Sequence, residues 1–271
     1  MTLPPALTRN QVKHLRSLSK KKHRHEQRQF LVEGETIAAE AVNAATSGLR
    51  YLICTADYFH SQSDAWRSQV ADRIYCCDQQ AIASISSLDS PPSVLALLDM
   101  PPLEEDALPD AASDAPASGL GLYLDGLRDP GNVGTIWRIA DWFGVTRLYT
   151  SEDCVDLYNP KVVQASMGAF LRVAARTRPL ASLRSEHPQL TILGTCISGG
   201  SDGLHYNWPA DTLLVIGSES HGIRSAVGEL LNGWISIPRG PQSSGAESLN
   251  AGVATGILCA SYLRTFSDTP R

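Results

Sequence analysis

From residue 119 onward, short apolar runs alternate with stretches of helical character, and this alternation restricts the fold more than any other property of the chain. The runs are GLYLDGL (121–127), RLYTS (147–151), LRVAAR (171–176), TILGTC (191–196), DTLLVIGS (211–218) and WISIP (234–238). Helical segments fall between them, notably 132–143 and 248–264. Near-continuous apolar strands separated by helices are buried on both faces and run parallel. The spacing therefore predicts an α/β fold with a mostly parallel sheet flanked by helices. In the last segment Leu249, Val253, Ile257 and Ala260 share one face, which predicts a helix packed on the core. Sheets of this kind bind ligands at the carboxyl ends of their strands. The residues that follow each strand are thus the candidate site.

The first part of the chain also alternates. A basic helical stretch at 9–28 leads into FLVEGETIAAEAVNAAT, with helical spacing through Ile37, Ala41 and Val42. RYLICTA (50–56), RIYCCD (73–78) and SVLALLD (93–99) read as strands, with helical stretches near 62–70 and at QQAIASIS. This predicts a small α/β domain over residues 1–98. Residues 99–118 (DMPPLEEDALPDAASDAPAS) hold four prolines and six acids, a composition that buries no core and reads as an acidic linker. The second domain is then 119–271.

Charge is distributed along the same division. The whole chain carries −5, which by itself argues against a nucleic-acid binder. Residues 1–28, however, hold eight cations against one acid, so that segment carries +7 and the remainder −12. Lys13, Arg16, Lys20, Lys21, Lys22, Arg24 and Arg28 read either as a footprint for the phosphates of RNA or DNA or as a solvated helix face. The six cysteines include no CxxC pair, and His23 with His25 lies among cations, so no metal site is expected. No apolar run approaches the length of a membrane span, and no secretory leader is evident. A soluble cytoplasmic protein with reduced, mostly buried cysteines is the expectation.

Three strand ends carry chemistry-bearing residues. After 121–127 come Asp129-Pro130-Gly131-Asn132, a tight turn in which Asn132 is placed to cap the next helix, with Arg138 six residues further on. After 211–218, Gly217 and Gly222 bracket Glu219, letting a ligand approach the backbone. No Lys-Ser or Lys-Thr follows, so this is not a phosphate loop of the nucleotide-binding kind. After 234–238, a Gly/Pro/Ser-rich loop ends in Ser248, Leu249 and Asn250, with Ser248 placed as the cap and the Asn250 amide left for a ligand. Alone, the first piece reads equally well as a capped helix with a surface arginine, the second is a weak glycine pattern, and the third reads better as a capped helix after a loop.

Together, in order and within one domain, the three pieces resemble the SpoU/TrmH-like branch of the SPOUT RNA methyltransferases. DPGNVGTIWRIADWFGV (129–145), LLVIGSESHGI (213–223) and ISIPRGPQSSGAESLNAGVATGIL (235–258) carry the resemblance, and VQASMGAFLRV (163–173) is similar to a segment the family has between its first two motifs. The N-terminal part, where the basic stretch runs into FLVEGE (30–35), looks like the family's substrate-binding domain, related in fold to RNA-binding ribosomal proteins.

The resemblance implies methyl transfer from S-adenosyl-L-methionine to a ribose 2′-hydroxyl of structured RNA, ribosomal RNA before transfer RNA. It implies a trefoil knot in the catalytic domain, a homodimer and no metal. It places the cofactor against Ile216, Gly217, Ile237, Pro238, Ser248 and Leu249, with Gly194 and Thr195 on the adenosine side. It matches Asn132, Arg138, Glu219, Ser248 and Asn250 to polar active-site positions. A guanidinium stays protonated in proteins, so Arg138 is expected to contact the hydroxyl or its 3′-phosphate and lower the hydroxyl's pKa. One departure is the loop 239–247, longer than is common in the family's ribosomal-RNA members. The alternative class is a non-catalytic RNA-binding assembly factor, which retention of the five polar residues disfavours. A Rossmann-type enzyme is disfavoured because no GxGxxG follows a strand.

Overall fold

A computed structural model describes residues 2–44, 48–101, 119–145, 147–243 and 245–267. The acidic stretch read as a linker lies, over 102–118, outside the described residues. The chain forms two compact units, Met1–Glu105 with Tyr158–Leu171, and Asp106–Leu157 with Arg172–Arg271.

In the first unit the helix starts are dictated by capping. Thr8 and Gln11 exchange hydrogen bonds at the start of α1 (Arg9–Ser17), so two otherwise unpaired amides are satisfied reciprocally. The chain continues through α2 (Lys21–Gln27), β1 (Gln29–Glu33), α3 (Glu35–Asn43), β2 (Leu49–Cys54), α4 (Ala56–Ser61), α5 (Asp64–Val70), β3 (Ile74–Cys76), α6 (Gln79–Ile85) and β4 (Val94–Asp99). The sheet order is β1-β4-β2-β3, with β4 antiparallel to both neighbours and β2 parallel to β3. Side chains alternate across the strands and both faces are covered. Phe30, Val32, Leu52, Ala96 and Leu98 pack on α3 and α4, while Leu31, Ile53, Leu95 and Leu97 pack on Leu15 of α1, Leu18 just after it, and Ile82 and Ile85 of α6. Glu33 is buried, and Ser86 and Ser87 supply its donors. The strand β1 escapes a periodicity reading because it runs into α3 with only Gly34, at φ +104°, between them.

The second unit follows as β5 (Leu120–Asp125), α7 (Pro130–Trp142) and β6 (Arg147–Thr150). The helix α8 (Pro160–Ser166) then belongs to the first unit, where Tyr158 and Phe170 place their rings 4.7 and 5.5 Å from that of Phe30. The second unit resumes with β7 (Ala175–Thr177), α9 (Leu180–Glu186), β8 (Thr191–Cys196), β9 (Ser201–Asp202), β10 (Thr212–Gly217), α10 (Ser225–Gly228), β11 (Gly233–Ser236) and α11 (Ala251–Ser267). Its seven strands are all parallel, in the order β7-β6-β5-β10-β8-β11-β9. The predicted strand at 171–176 is displaced: Ala169–Leu171 form a turn of 3-10 helix and the strand begins at Ala175. The pair β5 and β10 is the place where the order reverses, the crevice where such sheets bind ligands.

The helix α11 corrects the sequence reading of its core face. Leu249, Val253 and Ala260 are exposed, and Ala251, Thr255, Leu258 and Cys259 are buried instead. The helix is apolar on more than one face, so periodicity alone selects the wrong one. All six cysteines are free thiols, four of them buried, as composition predicts.

Candidate active site

Asp129 starts α7: its carboxylate accepts from the amide of Asn132 at 2.7 Å, and Pro130 occupies the first helical position. Asn132 is therefore not the cap. Its side chain is released to point elsewhere, and Nδ2 donates to Glu219 Oε1 at 2.7 Å. Glu219 sits at the tip of a tight loop closed by Ser218 N to Gly222 O (3.0 Å) and Gly222 N to Ser218 O (2.8 Å). Only glycine fits at 217, because a Cβ there would stand 2.5 Å from the amide nitrogen of Ile223 and collide with Gly222.

Asn250, rather than Ser248, caps α11. Its Oδ1 accepts from Gly252 N (3.0 Å) and Val253 N (3.2 Å). The same amide is not left free: Nδ2 donates to Asn132 Oδ1 at 2.8 Å and lies 3.2 Å from Glu219 Oε1. Residues 118 and 87 positions apart in sequence thus meet in one network built on the ends of β5, β10 and β11.

Two cavities flank the network, both within the second unit. The larger, about 620 Å³, is bounded by Thr195, Ile216, Gly217, Ile237, Pro238, Ser248 and Leu249, seven of the eight positions expected to meet a cofactor. Gly194 is the exception. It lies outside the lining because its missing side chain accommodates Leu231 and, at 2.9 Å from a built Cβ, Ile223, so it is a packing glycine. Sequence reasoning missed Cys196, Ile197, Trp234 and Leu258, which complete the apolar wall. Burial raises the Cys196 thiol, so it is no nucleophile at neutral pH. The loop 239–247 borders the same cavity, and Arg239 Nη2 donates to Glu247 O at 2.5 Å across its base.

The smaller cavity, about 330 Å³, is lined by Asp125, Arg128, Asp129, Asn132, Asp153 and the 218–224 loop. Asp125 is fully buried and accepts from Arg224 N (2.9 Å) and Nε (2.8 Å), tying the end of β5 to the residues after β10. Arg138 borders neither cavity. It is exposed on α7 and has no hydrogen bond or ion pair among the described residues. Among the described residues no cluster of His, Cys, Asp and Glu is arranged for a metal ion.

In the first unit Lys13, Arg16, Lys20, Lys21 and Lys22 are exposed. Arg24 is not available to RNA: it is 2% exposed, and Nη1 donates to Leu18 O and Ser19 O at 2.9 Å, satisfying carbonyls at the end of α1. Arg28 is half-buried and donates to Pro101 O.

Residues 119–260 match the SpoU rRNA Methylase family, and residues 9–96 match the MRM3-like substrate binding domain. The chain belongs to the SpoU rRNA methylase family. Among its SpoU relatives, the 23S rRNA (guanosine(2553)-2′-O)-methyltransferase RlmP of Bacillus subtilis is 27% identical over 91% of this chain and 93% of its own. A protein of Synechocystis named as a tRNA/rRNA methyltransferase is 32% identical over 91% and 88%. A solved TrmH-family structure from Porphyromonas gingivalis has a TM-score of 0.79 at 32% identity, covering 94% of this chain and 98% of that one. The SpoU methyltransferase AviRb of Streptomyces viridochromogenes, solved with AdoMet, shares the fold at a TM-score of 0.82 and 24% identity, covering 97% and 100%.

Proposed function

We propose that this SpoU-family chain transfers a methyl group from S-adenosyl-L-methionine to a ribose 2′-hydroxyl of structured RNA, ribosomal RNA first. The observation that carries the reading is the Asn132–Glu219–Asn250 network, standing between a cofactor-sized cavity and a smaller polar one at the ends of parallel strands. The larger cavity suits the cofactor: its volume falls within the range of small-molecule sites, roughly 300–1,000 Å³, and its wall mixes apolar side chains with a few polar groups. Thr195, Ile216, Gly217, Ile237, Pro238, Ser248 and Leu249 would hold it there. Bound S-adenosyl-L-methionine supplies an electrophilic methyl group.

The chain's own task is to orient a poor nucleophile and ease the loss of its proton. Glu219 Oε1 is engaged by two amides, which fixes the carboxylate, and Oε2 has no hydrogen-bond partner among the described residues. That oxygen is free to orient the ribose hydroxyl or the guanidinium of Arg138. Arg138 contacts the hydroxyl or its 3′-phosphate and lowers the hydroxyl's pKa. Ser248 positions substrate against cofactor.

Lys13, Arg16 and Lys20–Lys22 form the RNA-facing surface, Arg28 lies at its border, and residues 99–118 link the two domains. The chain acts in the cytoplasm as a homodimer. Support for the dimer is the exposure of large apolar side chains on α7 and α11, Trp142 at 84% and Val253 at 53% among them. The second domain carries a trefoil knot, a reading supported by its membership of the SpoU family.

The test is a transcriptome-wide map of 2′-O-methyl sites in cells with and without the gene. Loss of a site in ribosomal RNA is the expected result. Loss in transfer RNA would redirect the substrate, and identical maps together with no calorimetric binding of S-adenosyl-L-methionine would leave only the assembly-factor alternative. Arg138→Ala is expected to slow single-turnover methylation at least ~100-fold with unchanged cofactor affinity. Near-normal turnover in that variant would remove Arg138 from the site.

A further inference from the structure

The smaller cavity has a chemistry of its own. At about 330 Å³ it has room for one nucleoside. It shares the wall from Ser218 to Gly222 with the larger cavity, so a group seated in it lies beside Asn132 and Glu219.

Most of its polar lining is already committed. Arg224 is bound to Asp125, and Asp129 Oδ1 holds the amide of Asn132. Asp153 and Arg128 keep open polar atoms, as does Glu219 through Oε2, which the reading above gives to the ribose or Arg138. Asp153 accepts from Ser151 Oγ at 2.7 Å and lies 3.2 Å from Arg224 Nη1, both through Oδ1. Oδ2 has no hydrogen-bond partner among the described residues and keeps both of its lone pairs. The space before it is open because residue 126 is glycine: at φ +67°, a Cβ there would stand 3.3 Å from Oδ2. The Ser151 hydroxyl first, then the residue's own backbone amide and the neighbouring Arg224 and Arg128, outweigh partial burial and hold this carboxyl below the usual carboxylate range, so at neutral pH it only accepts. Arg128 is exposed, with no hydrogen bond or ion pair among the described residues, and stands as a free cation in the lining.

We propose that this cavity receives the base of the target nucleotide, that Asp153 selects guanine there, and that Arg128 meets an adjacent phosphate. The proposal rests on the methyltransferase reading above and adds the identity of the nucleotide. The chemistry of the base edges decides it. Guanine presents two adjacent donors, N1–H and the N2 amine, to a group that can only accept. Uracil presents one N–H between two carbonyl oxygens, which a carboxylate repels. Adenine and cytosine each set an amino group beside a ring acceptor. Unpaired bases in RNA loops are read along this edge.

The test begins with the methylation map, which names the nucleotide. Guanosine is expected; another base overturns the proposal and leaves the methyltransferase reading standing, whereas no methylation at all overturns both. On a transcript bearing the site and the full-length protein, guanosine to inosine, which removes only the N2 amine, should lower kcat/KM about 10-fold, and guanosine to uridine about 100-fold. Asp153→Asn should shrink the guanosine-over-uridine ratio at least ~10-fold, with calorimetric affinity for S-adenosyl-L-methionine changed less than about twofold. An unchanged ratio removes Asp153 as the reader. Arg128→Gln should weaken filter binding of both transcripts alike and reduce the salt slope of affinity by about one. Loss of base preference in Arg128→Gln would contradict its assignment to a phosphate.

Discussion

Asn250 performs two tasks with one amide. Its oxygen caps α11 and its nitrogen holds Asn132 and Glu219. The tasks are separable by substitution. Serine also caps helices well but reaches neither neighbour. Asn250→Ser should therefore leave thermal stability within ~0.5 kcal/mol of the parent while single-turnover methylation falls about 100-fold, the scale expected when reacting groups are misplaced by about an ångström. Asn250→Ala should lose the same activity and about 1 kcal/mol of stability besides. Calorimetric unfolding and rapid-quench kinetics on the same samples read the two effects. Equal activity in Asn250→Ser and the parent would mean that the network is an accident of helix capping.

At the scale of elements, motif residues were legible because they follow strands, and strand ends in a parallel sheet converge whatever their separation in sequence. Asn132, Glu219 and Asn250 were found this way. The caps were misassigned by a few residues. Asp129 followed by Pro130 is itself a start signal for α7, and Asn250 outcompetes Ser248 because α11 begins at Ala251. Strand β9, two residues long, leaves no pattern to read. The α11 error has a different cause: an apolar stripe states that a face avoids water, not whether the same chain covers it. Trp142 on α7 makes the same point. If a second copy covers this surface, Trp142→Asp should convert a dimer to monomers in sedimentation equilibrium at micromolar concentration, with the circular dichroism spectrum unchanged. A wild-type monomer would exclude the arrangement.

At the scale of the molecule, the −5 of the whole chain conceals a basic end, and the structure sharpens which cations count. Removing residues 1–28 outright would strip Leu15 and Leu18 from the core and expose Ile82, Ile85 and Leu95, so a deletion would report unfolding rather than RNA binding. The cleaner change is Lys20→Ala, Lys21→Ala and Lys22→Ala together, all exposed. RNA affinity should fall, and its dependence on salt should flatten by two to three in log–log slope, roughly one for each phosphate no longer neutralised. Affinity for S-adenosyl-L-methionine should not move. An unchanged salt slope would assign RNA binding elsewhere on the surface.

The position of β10 has a consequence for the ribosome that makes this protein. The strand sits between β5 and β8, which precede it in the chain by about 90 and 20 residues. Until residue 217 has emerged, β5 and β8 each present an open parallel edge, and open edges are where chains pair wrongly. Closing the sheet also joins distant segments, which slows folding. Premature termination just before β10 should therefore yield an aggregating fragment, and termination well after β11 a soluble one, so the vulnerable interval in synthesis is the time taken to translate from β8 to β10.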